Sequence, residues 1–257
     1  MLEVQHITKV YNPGTVHETC LFRDFSLQVE KGSFVSVVGS NGSGKTSLLN
    51  ILCGSIPVEE GKILMDGTDM TRGREFCRYR RMVRVYQNPA LGTCPSMTIL
   101  ENLAMAENKG HPFGLRRGTD KRRIQAYQEM LAPLGLGLED KLGIAVGALS
   151  GGQRQALALR MATMTPIDFL ILDEHTAALD PKTAEVIMEL TDRVVWEKGL
   201  TTLMVTHNLR HALTYGDRLL MLHAGQVVLD RAGEEKKATR LEDILGLFNA
   251  ISVECGN

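Results

Sequence analysis

The chain has 257 residues, 44% hydrophobic and 23% charged, the balance of an ordinary globular protein of one or two domains, which excludes disordered and fibrous classes. Lys plus Arg number 29 against 30 Asp plus Glu, so no global field draws the chain to nucleic acid or to an anionic membrane. No apolar run approaches the roughly 20 residues that span a bilayer, and Met1-Leu2-Glu3-Val4-Gln5-His6 lacks the pattern of a leader, so a cytosolic location is expected.

The first third reads as short strands separated by turns: Leu2–Val10, Thr19–Val29, Phe34–Val38, and Gly61–Asp66 running into the turn Asp66-Gly67. Hairpins are expected to dominate there. Met82-Val83-Arg84-Val85-Tyr86 is a further apolar strand, followed by Gln87-Asn88-Pro89. From about Thr98 the spacing of Ile99, Leu100, Leu103 and Ala106 predicts a helix, opening a helical insert that runs to about Gly147. The insert carries Arg116-Arg117 and Lys121-Arg122-Arg123. Without interleaved aromatics, this cluster reads as a solvated helix end and not as a nucleic-acid patch. Beyond Asp168 the pattern is strand (Phe169–Leu172), helix (Pro181–Trp196), strand (Leu200–Thr206), the signature of a parallel sheet with right-handed crossovers. Arg218–Leu222 and Gln226–Leu229 flank Ala224-Gly225 as a hairpin, and Leu241–Phe248 reads as an amphipathic helix packed on the core. The five cysteines, Cys20, Cys53, Cys77, Cys94 and Cys255, match no zinc spacing and are expected as reduced thiols.

Directly after the apolar run Phe34–Val38 stand Gly39, Ser40, Asn41, Gly42, Ser43, Gly44, Lys45, Thr46 and Ser47, which contain G-x-x-x-x-G-K-T. A glycine-rich turn between a strand and a helix lets successive N–H groups point at a phosphate chain, because no Cβ blocks the approach. Lys45 is then placed for the β- and γ-phosphates and the Thr46 hydroxyl for Mg²⁺. The helical run Ser47–Leu52 adds its N-terminal dipole. A nucleoside triphosphate is therefore expected.

Two further sites narrow the reading. Phe169–Leu172 ends in Asp173-Glu174, at the strand end where ligand chemistry sits in α/β sheets. Asp173 suits the Mg²⁺ shell, and Glu174 is placed to polarise a water for in-line attack on the γ-phosphorus. Leu149-Ser150-Gly151-Gly152-Gln153 starts a helix whose Ser N-cap and two glycines are expected to leave the first-turn N–H groups bare. This would be a second anion site, capping a γ-phosphate from the opposite side.

In order and spacing, Gly39–Thr46, Gln87, Leu149–Gln153, Asp173-Glu174, Ala178-Leu179-Asp180 and His207 resemble the ATP-binding subunit of an ABC transporter, over nearly the whole chain. The resemblance implies an α/β P-loop NTPase core with a parallel sheet and an N-terminal antiparallel β subdomain (1–97 and 148–257), and an inserted α-helical subdomain (98–147). It implies ATP and Mg²⁺ as cofactors and an ATP hydrolase. Tyr11 matches the aromatic that stacks on adenine, with core packing as the other reading. Gln87 matches the glutamine that senses Mg²⁺ and the membrane partner. Ser150 and Gly152, with Gly151 and Gln153 beside them, match the signature that binds γ-phosphate across a head-to-tail homodimer. Asp180 resembles the loop aspartate that crosses the dimer, and His207 the switch histidine that contacts the γ-phosphate.

A separate membrane permease, docked near Gln87 in the groove between core and insert, is then expected, on the inner face of the cell membrane. Import with an extracytoplasmic substrate-binding protein is favoured, because exporters of this type commonly fuse their membrane segments. A soluble ATPase acting on a non-transport assembly, such as an iron–sulfur scaffold, is the alternative. The stretches 88–95 and 173–180 resemble ATPases of such importers, some of them for aromatic amino acids. Two features depart from the pattern: His175 after Glu174, expected to pack or to hydrogen-bond, and the turn Asn12–Glu18, longer than that hairpin needs.

Overall fold

The computed structural model describes residues 1–111 and 118–254, the side chains of 251–254 excepted. Arg116, Arg117 and Cys255 of the readings above lie outside the described residues. The chain begins with β1 (Leu2–Tyr11), β2 (Thr19–Val29), β3 (Phe34–Gly39), α1 (Lys45–Cys53), β4 (Glu60–Met65), β5 (Thr68–Asp69), the short α2 (Glu75–Arg78) and β6 (Met82–Val85). Next come α3 (Ile99–Glu107), α4 (Ile124–Leu131) and α5 (Gly151–Thr163). The last part alternates β7 (Phe169–Asp173), α6 (Pro181–Lys198), β8 (Thr201–Val205), α7 (Leu209–Thr214), β9 (Arg218–His223), β10 (Gln226–Ala232), α8 (Gly233–Ala238) and α9 (Leu241–Glu254).

Two sheets result. The smaller is antiparallel in the order β2-β1-β4-β5 and the larger runs β10-β9-β3-β8-β7-β6. In the larger sheet β9, β3, β8, β7 and β6 pair in parallel and β10 joins antiparallel. Hairpins therefore do not govern the whole first third. β3 leaves its neighbours in sequence for the parallel sheet, and β1 pairs with β4 across that excursion. The reason lies in the β3 side chains. Phe34–Gly39 is buried throughout, which suits a strand covered on both faces and not a half-solvated hairpin. Val35 and Val37 pack with α1 and the antiparallel sheet. Phe34 packs with residues of α5, α6 and β7 on the other face, and Val38 with α7 and α9.

Helix α3 starts at Thr98 through a capping box. The Thr98 hydroxyl accepts from the Glu101 N–H at 3.2 Å, and the Glu101 carboxylate accepts from the Thr98 N–H at 2.7 Å. The apolar cluster of this region joins Ile99, Leu103, Tyr127 and Leu131 to Leu157 of α5 and Ile187 of α6, so the insert does not close its own core. Two of its arginines are paired locally: Arg122 with Asp120, and Arg123 with Glu107. Ile244 of α9 is fully buried against Val38, Ala212 and Met221, with Leu247 and Phe248 packed alongside.

Helix α8 has no apolar period, and polar contacts place it: the Gly233 N–H donates to the Asp217 carbonyl at 2.9 Å, and a buried lysine reaches the same turn. Lys236, 3% exposed, donates from Nζ to the Tyr215 and Gly216 carbonyls, the latter at 2.7 Å. Burial pushes its pKa down to about 8, against the opposing pull of Asp217 and Asp192. The folded value lies below the unfolded value of 10.5, so the unfolded chain binds more protons between those limits and this group's contribution to stability rises with pH across them. Wild type should therefore gain on Lys236→Met from about pH 8 to 10.5, by at most on the order of 3 kcal/mol, since one unit of pKa displacement is about 1.4 kcal/mol and solvent screening trims the full effect. Urea titrations of both proteins read this out, and parallel curves would refute it.

Candidate nucleotide site

Strands β6, β7, β8 and β3 lie side by side and parallel, so the segments that follow them emerge along one edge of the sheet, where ligands of open α/β sheets bind. In that order the edge carries Gln87, then Asp173 with Glu174, then His207, then the loop from Gly39 to Lys45. A cleft of about 190 Å³ is lined by Leu21, residues 41–47, Glu174 and His207.

The loop needs glycine for two reasons. Gly44, the N-cap of α1, has φ +106, and a Cβ at Gly39 would stand 2.2 Å from the Leu222 carbonyl oxygen. The turn between β9 and β10 braces the loop through Gly225 N–H to Ser43 C=O at 3.0 Å. Lys45 Nζ folds back to donate to the carbonyls of Gly39 at 2.7 Å and Ser40 at 2.9 Å. Burial holds this ammonium below the ordinary lysine range, and the Glu174 carboxylate acts in the opposite direction. A cation, the dipole of α1 and glycine-exposed N–H groups thus converge on one cleft, which can hold a polyphosphate.

Glu174 sits with φ +47, a left-handed conformation that costs a non-glycine residue about 1–3 kcal/mol and must be imposed by its surroundings. Its N–H donates to the Val205 carbonyl at 2.9 Å, and its Oε1 lies 2.6 Å from His207 Nε2. A carboxylate aimed in this way can take a proton from a water in the cleft. Asp173 is half-buried. Its Oδ2 accepts from Arg84 Nη2 at 2.5 Å, and Arg84 Nη1 donates to Asn50 Oδ1 at 2.7 Å. Sequence reading missed this contact, although an arginine inside the apolar run of β6 was the signal for it. Among the described residues no group of three or more His, Cys, Asp or Glu could hold a metal. The hydroxyl of Thr46, the amide oxygen of Gln87 and the carboxylate of Asp173 are instead a sparse set of hard oxygens. That set fits Mg²⁺ delivered with phosphates, an ion that keeps several of its own waters.

The other expected residues form a second group, which does not line the cleft. Ser150 caps α5 through a capping box. Its hydroxyl accepts from the Gln153 N–H at 3.2 Å, and the Gln153 amide oxygen accepts from the Ser150 N–H at 3.1 Å. The expectation of a bare first turn is corrected at one position: the N–H of Gln153 is taken, as is that of the N-cap Ser150, because the S-x-x-Q spacing satisfies both reciprocally. A Cβ at Gly152 would meet Thr183 Cγ2 at 2.3 Å and one at Gly151 would meet Leu179 Cδ2 at 3.3 Å, so the glycines also let α5 start against the start of α6. Asp180 is exposed and caps α6, accepting from the Thr183 N–H at 3.1 Å.

Tyr11 ends β1, and its hydroxyl donates to Ser47 Oγ at 3.0 Å, which ties its ring to the first turn of α1. Gln87 is exposed, and the strand end before it is held by Gln155, whose amide donates to the Tyr86 carbonyl at 3.2 Å. His175 is buried, with Nε2 3.1 Å from Thr191 Oγ1. The Thr191 hydroxyl proton goes to the Ile187 carbonyl at 2.7 Å, so Nε2 carries the imidazole proton. Burial, aided by His211, pushes the His175 pKa down to about 3. The side chain packs and hydrogen-bonds, as expected.

A model of the ABC transporter family matches residues 22–177. The chain is 47% identical over 248 residues to the tyrosine transport ATP-binding protein of Clostridioides difficile (strain R20291), covering 96% of this chain and 98% of that one. The chain belongs to the ABC transporter family. It is an ATP-binding cassette, an ATP hydrolase and the ATPase subunit of a transporter. The cassette is also 30% identical to the phosphonates import ATP-binding protein PhnC of Lactococcus lactis subsp. cremoris (strain SK11), covering 95% of this chain and 98% of that one. A nucleotide-free ATP-binding cassette from an ABC transporter superimposes with a TM-score of 0.79 at 25% identity, covering 100% of this chain and 99% of the other. A dimeric cassette in a post-hydrolysis state with ADP and Pi superimposes with a TM-score of 0.75 at 28% identity, covering 90% and 98%.

Proposed function

We propose that two copies of this cassette close head-to-tail around two ATP molecules and that their hydrolysis drives import by a separate membrane permease. The cargo class we propose is an aromatic amino acid, after the tyrosine transport relative. The observation that carries this reading is the alignment of Glu174, His207 and the Lys45 loop on one sheet edge, around one cleft. In each site the loop N–H groups and Lys45 hold the β- and γ-phosphates, Tyr11 stacks on adenine, and Glu174 takes the proton of the attacking water. His207 aims Glu174 and reaches the γ-phosphate. Ser150, Gly151, Gly152 and Gln153 of the second copy cap that phosphate, and the second copy's Asp180 crosses beside it. Thr46, Gln87 and Asp173 hold Mg²⁺, which supplies neutralisation of charge building on the phosphate oxygens.

Residues 98–147 serve as the helical subdomain and 1–97 with 148–257 as the core. Between them, beside Gln87, lies an apolar groove of about 380 Å³ lined by Tyr79, Val85, Tyr86, Met105, Met161 and their neighbours. It supports the docking of a permease segment, and so a place on the inner membrane face. No helix among the described residues is long and apolar enough to cross a membrane. Pull-down of the tagged cassette from host membranes, read by mass spectrometry, should recover a multi-pass permease and an extracytoplasmic substrate-binding protein. Recovery of soluble scaffold proteins alone would overturn the proposed coupling to an import permease.

A further inference from the structure

On the face of β6 that looks toward α1, Arg84 interrupts an apolar surface. Met82, two residues earlier, is fully buried, as is Ile171, the partner of Arg84 in β7. The Arg84 side chain is only 8% exposed. A cation in such a place costs stability unless it is paired and hydrogen-bonded, and packing alone would be served as well by a residue like Met82. Both ends of the guanidinium fork are in use, on Asp173 Oδ2 at 2.5 Å and on Asn50 Oδ1 at 2.7 Å. Its Cζ lies 4.9 Å from the centre of the Tyr86 ring. Asn50 belongs to α1, the helix that begins at Lys45 and Thr46, so the fork ties the end of β7 to the phosphate-loop helix.

We infer that Arg84 is a positioning residue for the metal. It holds one oxygen of Asp173 so that the other would be left for the Mg²⁺ shell. The inference rests on Asp173 being a metal-shell residue, as proposed above. Groups that orient a metal's carboxylate typically contribute about 10–100-fold to metal affinity. Arg84→Met should therefore weaken Mn²⁺ binding to the ADP-loaded cassette, measured by electron paramagnetic resonance, by about tenfold or more, while ADP affinity without metal changes less than twofold. Arg84→Lys keeps the charge but loses the fork and should fall between. Asn50→Ala releases one tine and leaves the charge buried, so it tests the same tie if Arg84→Met does not fold.

Asp173→Asn is the control for the underlying reading. Unchanged Mn²⁺ affinity there would remove Asp173 from the metal shell. A loss with Asp173→Asn alongside unchanged Mn²⁺ affinity in the Arg84 and Asn50 variants would overturn only the positioning role. Equal losses of ADP affinity with and without metal in those variants would reduce Arg84 to a structural ion pair.

Discussion

Glu174→Gln should bind ATP about as well as wild type yet turn it over roughly 100- to 10,000-fold more slowly, the range by which a positioned general base accelerates a reaction. The substitution changes one property. Gln keeps the length and planarity of Glu and can still bond to His207, which in the wild type lies 2.6 Å from Oε1. It fits the same left-handed backbone, fixed by the bond of the residue 174 N–H to Val205. What it loses is the capacity to take a proton from water. In the proposed cycle dimer closure depends on phosphate contacts and release on their removal, so the variant should accumulate as an ATP-bound dimer. Light scattering with saturating Mg·ATP should find twice the monomer mass for Glu174→Gln, while wild type returns to monomer as ATP is consumed. A variant that stays monomeric, or that turns over normally, would remove Glu174 from the role of base.

Much of the edge on which Glu174 sits was legible beforehand, for a physical reason. A strand buried on both faces, a glycine turn and a helix start are local patterns, and β3 with the Gly39–Lys45 loop contains all three within a few residues. The Ala224-Gly225 turn was equally local, with φ +44 and +76 at its two residues. Arg84 was not legible in its role, because its partner Asp173 is 89 positions away and becomes a neighbour only through the β6–β7 pairing. Helix α8 is mostly charged and has no period to read, and a long-range contact from Lys236 to the carbonyls after α7 helps to place it. The start of α5 was misread in one respect although the needed letters were present. Ser150 and Gln153 stand at capping-box spacing, and the reciprocal bonds they make compete with an anion for the same donors. The insert shows the opposite limit: its helix start was legible, but the partners that close its core lie in α5 and α6.

Lys45→Ala should weaken ATP and ADP binding by about 100-fold and leave AMP binding within about twofold. In the cleft the ammonium spends its protons on the carbonyls of Gly39 and Ser40 at 2.7 and 2.9 Å, so nucleotide binding exchanges two neutral acceptors for charged ones. Each of these bonds is already charge-assisted by the ammonium, and a phosphate oxygen adds an opposite charge on the acceptor side, which strengthens it further. Two such exchanges therefore favour the bound state. Burial already holds the ammonium below its ordinary pKa, and a bound polyphosphate would favour its charged form, so the same contact should also raise that pKa. Alanine forfeits these gains and leaves the two carbonyls without their donor, a cost confined to the loop. The ratio of ATP to AMP affinity, measured by calorimetry, isolates the phosphate term from any damage to the adenine side at Tyr11, since loop collapse would lower both. An unchanged ratio would mean that Lys45 serves the loop and not the phosphates.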